Sequence, residues 1–349
     1  MEIIKTRTYA RAGFLGNPSD GYYGKTISFS FADFGVDLKL VESEELCFKP
    51  GIVDDATFTS PAALVRDVRL YGYYGGIRML KAVAKLFFEY CFEHALPLPE
   101  KNFTASYRIN IPRLVGLSGS SAICAAMLKA LMKFYAIDIP LEEQPTLIMR
   151  AERDELGIAC GLQDRVAQIY NGLTFMDFDR AHVEATGCGR YERLDPALLP
   201  PVFIAYDPRR AEESGKAHKK VKKLFQEKNA DILSAMTEFA DIAQRGREAL
   251  LSGRKEELHE LINANFDLRD RVFNVAEENR FMVMTARKSG ASAKFAGSGG
   301  AIVGTYEDEA QYTRLCEALA GIGCSVLKPR IVPTDGSCPE FSNPYWRSS

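Results

Sequence analysis

The sequence predicts an α+β protein of two lobes, with strands concentrated early in the chain and helices late. Alternating apolar residues indicate strands at 26–31, 35–42 and 103–111, after an apolar first segment at 3–15. From residue 216 to residue 289 the apolar residues recur at helical spacing instead. A chain of 349 residues also exceeds the roughly 250 to 300 residues at which a single hydrophobic core stops growing. We therefore expect two lobes.

Composition and charge favour a soluble globular protein. The 44 Lys and Arg residues nearly balance the 46 Asp and Glu residues, so the formal charge is -2 and no overall field attracts nucleic acid or a membrane. The eight cysteines are scattered, which indicates reduced thiols, and neither a signal peptide nor a long apolar run is visible. We expect a cytoplasmic monomer or homodimer with no nucleic-acid or membrane partner.

A loop of glycine and serine, residues 112–122, lies directly before an apolar run that ends at Tyr135. Its backbone is open to a ligand because these residues are small: Gly116, Ser118, Gly119, Ser120 and Ser121. Helix propensity resumes at Ala122, and a helix N-terminus attracts anions through its free amides and positive dipole end. The pattern indicates a phosphate-binding loop. A serine-capped helix after a flexible turn explains the same residues.

Two other polar turns and one pair of acidic residues are further candidates for a functional site. The first segment breaks into a turn at 11–25, and a glycine turn at 294–304 opens onto an apolar strand. Between them, a glycine-flanked turn delivers Asp164 to a helix start, with Glu152 in the helix before it. Taken singly, these features are as typical of a chain reversal, a bulge or a helix cap as of a site. The basic run at 219–223 is interpreted as a solvated helix face.

The three glycine-rich segments, in this order, resemble those of the GHMP small-molecule kinases, named for galactose, homoserine, mevalonate and phosphomevalonate. The loop at 112–122 is similar to the family's Pro-x-x-x-Gly-Leu-x-Ser-Ser-Ala signature. In the first motif Arg11, Gly16 and Asp20 keep their places, whereas the family's Pro-Gly and Glu-His pairs are absent. In the galactokinase branch the Glu-His pair contacts the sugar. Galactose is therefore not the expected substrate.

The residues of these motifs are most similar to those of the glucuronokinase branch of this family. The similar segments are Gly-Asn-Pro-Ser-Asp at 16–20, Gly-Tyr-Tyr-Gly-Gly-Ile-Arg at 72–78, Gly-Leu-Ser-Gly-Ser-Ser-Ala at 116–122, Gly-Leu-Gln-Asp-Arg-Val-Ala-Gln at 161–168 and Lys-Phe-Ala-Gly-Ser-Gly-Gly-Ala at 294–301. Ser298 stands where alanine is usual in the family. The resemblance implies transfer of the ATP γ-phosphoryl group to the anomeric hydroxyl of D-glucuronate, giving glucuronate 1-phosphate and ADP.

The resemblance also implies how the chain is divided. Residues 1–200 would form an ATP-binding N-terminal lobe similar to domain 2 of ribosomal protein S5, with the phosphate loop at 112–122. Residues 201–333 would form a ferredoxin-like C-terminal lobe, and 334–349 a loosely held tail. ATP would lie in the cleft between the lobes.

By matching position, the resemblance assigns roles to individual residues. Asp164 would act as the base beside the attacking hydroxyl, and Arg11 would orient it and neutralise charge on the phosphoryl group. Ser121 and Glu152 would hold Mg²⁺, which prefers hard oxygen ligands. Asp20 would accept hydrogen bonds from sugar hydroxyls. The ATP phosphates would contact Gly116, Leu117, Ser118, Gly119, Ser120, Ser121, Ala122, Gly297, Ser298 and Gly299.

A glucuronate carboxylate requires a cation, and four residues are candidates: Lys25, Arg78, Arg113 and Arg165. A surface ion pair explains each of them equally well. Two other functions stay open. One is a kinase of the same fold that acts on another sugar, a sugar phosphate or an isoprenoid alcohol, and the other is a catalytically silent sugar- and ATP-binding regulator. The residues assigned to catalysis argue against a silent protein, since a pure binder needs no aspartate at the acceptor.

Overall fold

The computed structural model describes residues 2–51, 54, 75–207, 215–273 and 275–337, without the side chains of 215–219. The motif at 72–78 and the predicted tail at 334–349 therefore lie partly outside the described residues. Both halves of the chain combine a sheet with helices, so the predicted α+β class is confirmed. The expectation that helices concentrate late in the chain is wrong, because several of them also lie in the first half. Among the described helices, none combines the length and the apolar character that crossing a membrane requires.

The first half of the chain builds a six-stranded sheet around one long strand. The strands are β1 (Ile3–Leu15), β2 (Lys25–Ser43), β3 (Cys47–Phe48), β4 (Asn102–Ile109), β5 (Leu173–Asp177) and β6 (Arg190–Leu194). β2 pairs with β1 on one side and with both β4 and β5 on the other. The strands predicted at 26–31 and 35–42 are thus one strand. A register shift opposite Tyr9 and Ala10 accommodates the residues that interrupt its alternation.

Helices cover one face of this sheet and one of them carries the phosphate loop. They are α1 (Gly76–Glu93), α2 (Gly119–Tyr135), α3 (Gln144–Arg150), α4 (Gln163–Tyr170) and α5 (Arg180–Thr186), with a π-turn at Ala151–Glu155 after α3. Most of α2 is buried against β1, β2 and α1, which explains why its sequence is apolar on every side. It begins three residues earlier than Ala122, because the small residues of the loop form its first turn.

The second half of the chain forms an antiparallel sheet of order β10-β7-β9-β8. Its strands are β7 (Val202–Tyr206), β8 (Lys294–Phe295), β9 (Ala301–Thr305) and β10 (Ser325–Leu327). Its helices are α6 (Gly215–Gln226), α7 (Ala230–Leu251), α8 (Lys255–Phe273), α9 (Glu277–Lys288) and α10 (Glu309–Ala320). The chain passes from one sheet to the other between β6 and β7, the interval that contains the predicted boundary near residue 200.

The two halves share a hydrophobic core along β1, β2 and α7. Gly246 permits close approach within this core, since a Cβ atom on it would lie 2.2 Å from Cδ1 of Leu15. This packing sets the second half of the chain against the end of β1. The polar turn after β1 and the loop before α2 consequently face the second half across a cleft.

Candidate active site

A cleft of about 450 Å³ opens between the two halves of the molecule. Four stretches contribute to its walls: the end of β1 with the turn after it, the loop before α2, the turn before α4, and the loop between β8 and β9. Lys222 from α6 and Arg269 from α8 complete the lining. All three glycine-rich segments found in the sequence thus meet in one place.

The phosphate loop and the C-terminal glycine loop pack backbone against backbone. A Cβ atom on Gly297 would lie 2.1 Å from the carbonyl oxygen of Gly116, and one on Gly116 would lie 2.8 Å from that of Gly299. Gly116 also has a φ of +74°, a conformation that glycine adopts at little cost. Arg269 holds the C-terminal loop by donating to the carbonyl oxygens of Gly297 at 3.0 Å and Ser298 at 3.2 Å.

The start of α2 leaves its first-turn amides open to a ligand. Ser118 precedes the helix in a left-handed conformation with a φ of 63°, and its side chain caps none of these amides. The first N–H groups of any helix lack carbonyl partners within the helix, and they carry the positive end of its dipole. Gly119 and Ser120 line the cleft at this point. The geometry is suited to binding the oxygens of a phosphate group.

Arg11 joins the three glycine-rich segments. Its side chain is 5% exposed, and its Nε donates to Oδ1 of Asp164 at 2.6 Å. Its Nη1 donates to the carbonyl oxygens of Gly116 and Ala296, each at 2.8 Å. Because three acceptor atoms on three segments fix the guanidinium, Arg11 holds a positive charge between the phosphate loop and Asp164.

The two carboxyl groups in the cleft have opposite pKa shifts. Burial alone would raise the pKa of Asp164, but the charges of Arg11 and Arg165 outweigh this effect and lower the pKa to about 2. Burial and the negative charge of Asp164 together raise the pKa of Asp20 to about 6. Asp164 is therefore ionised at neutral pH, and Asp20 holds its proton more tightly than an ordinary aspartate.

The structure explains how Asp20 reaches the turn before α4. Its Oδ2 accepts a hydrogen bond from the backbone N–H of Gln163 at 3.3 Å. A Cβ atom on Gly161 would lie 2.0 Å from the same oxygen, so a side chain at Gly161 would displace this carboxylate. The turn at 161–163 thus brings Asp20 beside the helix that carries Asp164.

Glu152 and Arg165 form a buried ion pair behind the cleft. Two guanidinium nitrogens of Arg165 contact Oε2 of Glu152, with the Nε contact at 2.8 Å, and the side chains are 4% and 0% exposed. Burial opposes the charge on Arg165, but Glu152 keeps the pKa of the guanidinium above its usual value. The second oxygen of Glu152, Oε1, is buried and has no hydrogen-bond partner within the described residues.

The chain is similar to known proteins over most of its length. Residues 78–172 match the model of the GHMP kinases N-terminal domain. Probable glucuronokinase 2 of Arabidopsis thaliana is 44% identical over 340 residues, which is 95% of this chain and 92% of that protein. The chain belongs to the GHMP kinase family. Glucuronokinase 1 of the same plant is 45% identical over 306 residues, 86% of this chain and 84% of that protein.

A solved structure shows the same fold at much lower identity. The crystal structure of Lactococcus lactis galactokinase complexed with galactose superposes with a TM-score of 0.75 and 14% identity, over 95% of this chain and 94% of that chain. The architecture of this GHMP kinase is therefore that of the family's solved members.

The structure separates the four cations considered for a substrate carboxylate. Arg113 and Arg165 line the cleft, whereas Lys25 and Arg78 do not. The Nζ of Lys25 donates to Oε1 of Gln244 at 3.0 Å, and Arg78 donates to the carbonyl oxygen of Leu156 at 3.3 Å. Lys25 lies at the start of β2, where it pairs with Asp177 of β5, and its Nζ lies 3.6 Å from Oδ2 of Asp177.

The predicted metal pair also lies behind the cleft lining. Neither Ser121 nor Glu152 is part of its wall, and the Ser121 hydroxyl donates to the carbonyl oxygen of Ser118 at 3.3 Å. Glu152 is reached from the cleft through Arg165, whose Nη1 lies 3.6 Å from Oδ2 of Asp164. The predicted residues that do meet directly are Arg11, Asp164, Asp20 and the two glycine loops.

Sequence reasoning missed three side chains of this GHMP kinase site. Arg269 supports the C-terminal glycine loop, and Lys222 lines the cleft from α6. Lys294 is buried, and its Nζ donates to the carbonyl oxygens of Gly13 and Phe295 and to Oδ1 of Asn17. Burial and the nearby arginines lower the pKa of Lys294 well below its ordinary value. Only Lys294 carried a signal, because it opens the third glycine motif.

Proposed function

We propose that the protein is a sugar 1-kinase that transfers the ATP γ-phosphoryl group to the anomeric hydroxyl of D-glucuronate. The products would be glucuronate 1-phosphate and ADP. The choice of acceptor is supported by the two Arabidopsis relatives named as glucuronokinases, which align over most of the chain. The observation that carries the chemistry is the 2.6 Å contact between Arg11 and Asp164 beside the open start of α2.

ATP binding would depend on the backbone more than on side chains. The triphosphate would lie on the first-turn amides of α2 and against the C-terminal glycine loop, where glycine permits close approach. Arg11, held between these two loops, would face the oxygens of the γ-phosphate. This arrangement positions the phosphoryl group and neutralises its charge, the two contributions on which phosphoryl transfer mainly depends.

In the proposed transfer step, one bond forms, one bond breaks and the proton passes to a residue of the cleft. The anomeric oxygen forms a bond to the γ-phosphorus while the bond from that phosphorus to the β–γ bridging oxygen breaks, and ADP leaves. The hydroxyl proton passes to the carboxylate of Asp164. Since the pKa of Asp164 is about 2, this carboxylate is a weak base and accepts the proton late. Its first role is to orient the hydroxyl towards the phosphorus.

We expect ATP to bind together with Mg²⁺. The hydroxyl of Ser121 and Oε1 of Glu152 are hard oxygen donors of the kind that Mg²⁺ prefers. The buried Oε1 has no protein partner within the described residues, which suits a ligand atom. Bound there together with phosphate oxygens and water, the ion would neutralise charge on the nucleotide. Asp20, the remaining acid of the cleft, would accept hydrogen bonds from the sugar hydroxyls.

The proposal is tested by ADP release from ATP and Mg²⁺ with a panel of acceptors. The panel contains glucuronate, galacturonate, galactose, arabinose, glucose and mevalonate. Release that depends on glucuronate is the expected result. Release with a different acceptor only would replace glucuronate as the substrate while keeping the kinase chemistry. Binding of ATP and sugar without release would identify a silent binding protein instead.

A further inference from the structure

The chemistry of a uronic acid restricts where its carboxylate can be recognised. The anomeric hydroxyl and the carboxylate are carried by the two carbons that flank the ring oxygen. A cation that contacts the carboxylate must therefore stand within one ring width of the reacting hydroxyl. If Asp164 orients that hydroxyl, as the proposed function holds, the cation must line the same cleft as Asp164.

Among the described residues, five basic side chains line the cleft: Arg11, Arg113, Arg165, Lys222 and Arg269. Arg11 is bonded to Asp164 and two carbonyl oxygens. Arg165 is bonded to Glu152 and to the carbonyl oxygen of Gly161. Arg269 is bonded to the C-terminal glycine loop. In the proposed function Arg11 already faces the γ-phosphate, and a guanidinium held by buried acceptors cannot turn to the sugar carboxylate without leaving those acceptors unpaired.

The other two residues, Arg113 and Lys222, stand on different sides of the cleft. Arg113 lies three residues before Gly116, on the loop that leads to the phosphate-binding start of α2. Lys222 lies on α6, which packs on the turn that carries Asp20. The ring of Phe225 on α6 makes an edge contact with the ring of Tyr22, with centroids 5.0 Å apart. Lys222 therefore faces the acceptor side and Arg113 the nucleotide side.

The environment of Lys222 also suits a residue kept for a ligand. Its side chain is exposed, and no hydrogen bond or ion pair joins it to any other described residue. Its neighbours in the basic run differ: Lys220 and Lys223 do not line the cleft, and the Nζ of Lys223 lies 3.8 Å from Oε1 of Glu227. Val221, directly before Lys222, is buried and anchors this turn of α6, and Lys222 itself lines the cleft.

We propose that Lys222 is the residue that recognises the substrate's carboxylate and so selects a uronic acid over the neutral sugar. This inference deepens the proposed function and rests on it. A flexible ammonium group at the mouth of the cleft contacts the carboxylate as a point charge with up to three donors. Part of the basic run, interpreted from sequence as a solvated face, thereby has a role in specificity.

The test compares two acceptors that differ only in charge at that position, D-glucuronate and its neutral amide, D-glucuronamide. In Lys222→Gln we expect kcat/KM for glucuronate to fall about 10-fold or more, mainly through a higher KM, because a hydrogen bond to a charged group is lost. The same parameter for the amide should stay nearly constant. The ratio of kcat/KM for the acid to kcat/KM for the amide should therefore fall in Lys222→Gln. Lys222→Arg should restore most of this ratio.

Matched variants separate this role from a structural one. Lys220→Gln removes an exposed charge from the same run and should leave both acceptors unaffected. Equal losses on acid and amide in Lys222→Gln, or no loss on either, would overturn the inference while glucuronate remains the substrate. Collapse of the preference in Arg113→Gln but not in Lys222→Gln would transfer the role to Arg113. A wild-type protein that never phosphorylates glucuronate would refute the proposed function, and the inference with it.

Discussion

The Nε of Arg11 lies 2.6 Å from Oδ1 of Asp164, although 153 positions of sequence separate the two residues. The contact joins the first strand to the turn before α4 and sets a fixed positive charge beside an ionised carboxylate. Since Arg11 also holds a carbonyl oxygen of each glycine loop, one side chain aligns both loops with Asp164. The proposed chemistry rests on this alignment.

Replacing Asp164 by Asn should slow turnover without weakening ATP binding much. We expect the rate of ADP release to fall by ~10² or more, the scale of a lost acid-base group, because the amide cannot take up the hydroxyl proton. ATP affinity should stay nearly constant, since in the proposed complex backbone amides would contact the triphosphate. Steady-state kinetics and calorimetric titration measure the two quantities. Asp177→Asn, outside the cleft lining, serves as the control, and turnover of Asp164→Asn within a few-fold of wild type would remove Asp164 from the mechanism.

Replacing Asp20 by Asn should stabilise the protein at high pH but not at low pH. The pKa of Asp20 is raised from 3.8 to about 6 in the folded protein, so the folded state binds this proton more tightly than the unfolded chain. The favourable contribution of Asp20 is fully present below about pH 4 and is lost as the pH rises through about 6. At pH 8 the variant should therefore gain ~1 kcal/mol or more in the free energy of unfolding.

Urea unfolding at pH 4 and pH 8 measures this effect. The exposed Asp241 of α7 offers a matched control, because Asp241→Asn should change stability by the same small amount at both pH values. An equal effect of Asp20→Asn at both pH values would show that its carboxyl group does not titrate as described.

Removing the charge of Glu152 should destabilise the fold. Glu152→Gln leaves the buried guanidinium of Arg165 without its main counter-charge, and we expect a loss of roughly 3 kcal/mol in the free energy of unfolding. The control is Glu184→Gln, which breaks an ion pair whose side chains are 68% and 55% exposed and should cost less than about 1 kcal/mol. Similar costs for both variants would contradict the buried character of the first pair. Adding Arg165→Met to Glu152→Gln should recover part of the loss.

A methyl group at Gly297 should disturb the packing of the two glycine loops. Its Cβ atom would lie 2.1 Å from the carbonyl oxygen of Gly116, so the loops must separate in Gly297→Ala. We expect weaker ATP binding together with a loss of stability of roughly 1 to 3 kcal/mol, measured by titration and by thermal unfolding. In Gly321→Ala the new atom would meet its nearest neighbour at 3.4 Å, and both quantities should stay nearly constant. Unchanged ATP binding in Gly297→Ala would mean that the C-terminal loop does not contact the nucleotide.

Local pattern was sufficient to predict most elements of this fold. The helix α2 and the long helices after residue 215 follow from their apolar residues, because burial imposes a helical period on the sequence. The segment that forms α5 and β6 was not predicted. Its helix has no buried residue, so no apolar period marks it.

The site was predictable where a backbone conformation requires particular residues, and less so where contacts are distant. Gly116 and Gly297 are visible in the sequence because only a small residue fits between the loops. Lys222 and Arg269 are ordinary helix residues, and only the folded chain shows that they face the cleft. Likewise, nothing local indicates that Glu152 is paired with Arg165, because their contact depends on the π-turn and α4 together.

The most direct test of the account is phosphorus NMR of the product made from ATP, Mg²⁺ and D-glucuronate labelled with carbon-13 at the anomeric position. The account predicts a phosphomonoester signal coupled to the labelled carbon, formed together with an equal amount of ADP, and slowed by ~10² or more in Asp164→Asn. An unphosphorylated sugar with bound ATP, a phosphate on another hydroxyl, or an undiminished rate in Asp164→Asn would contradict it.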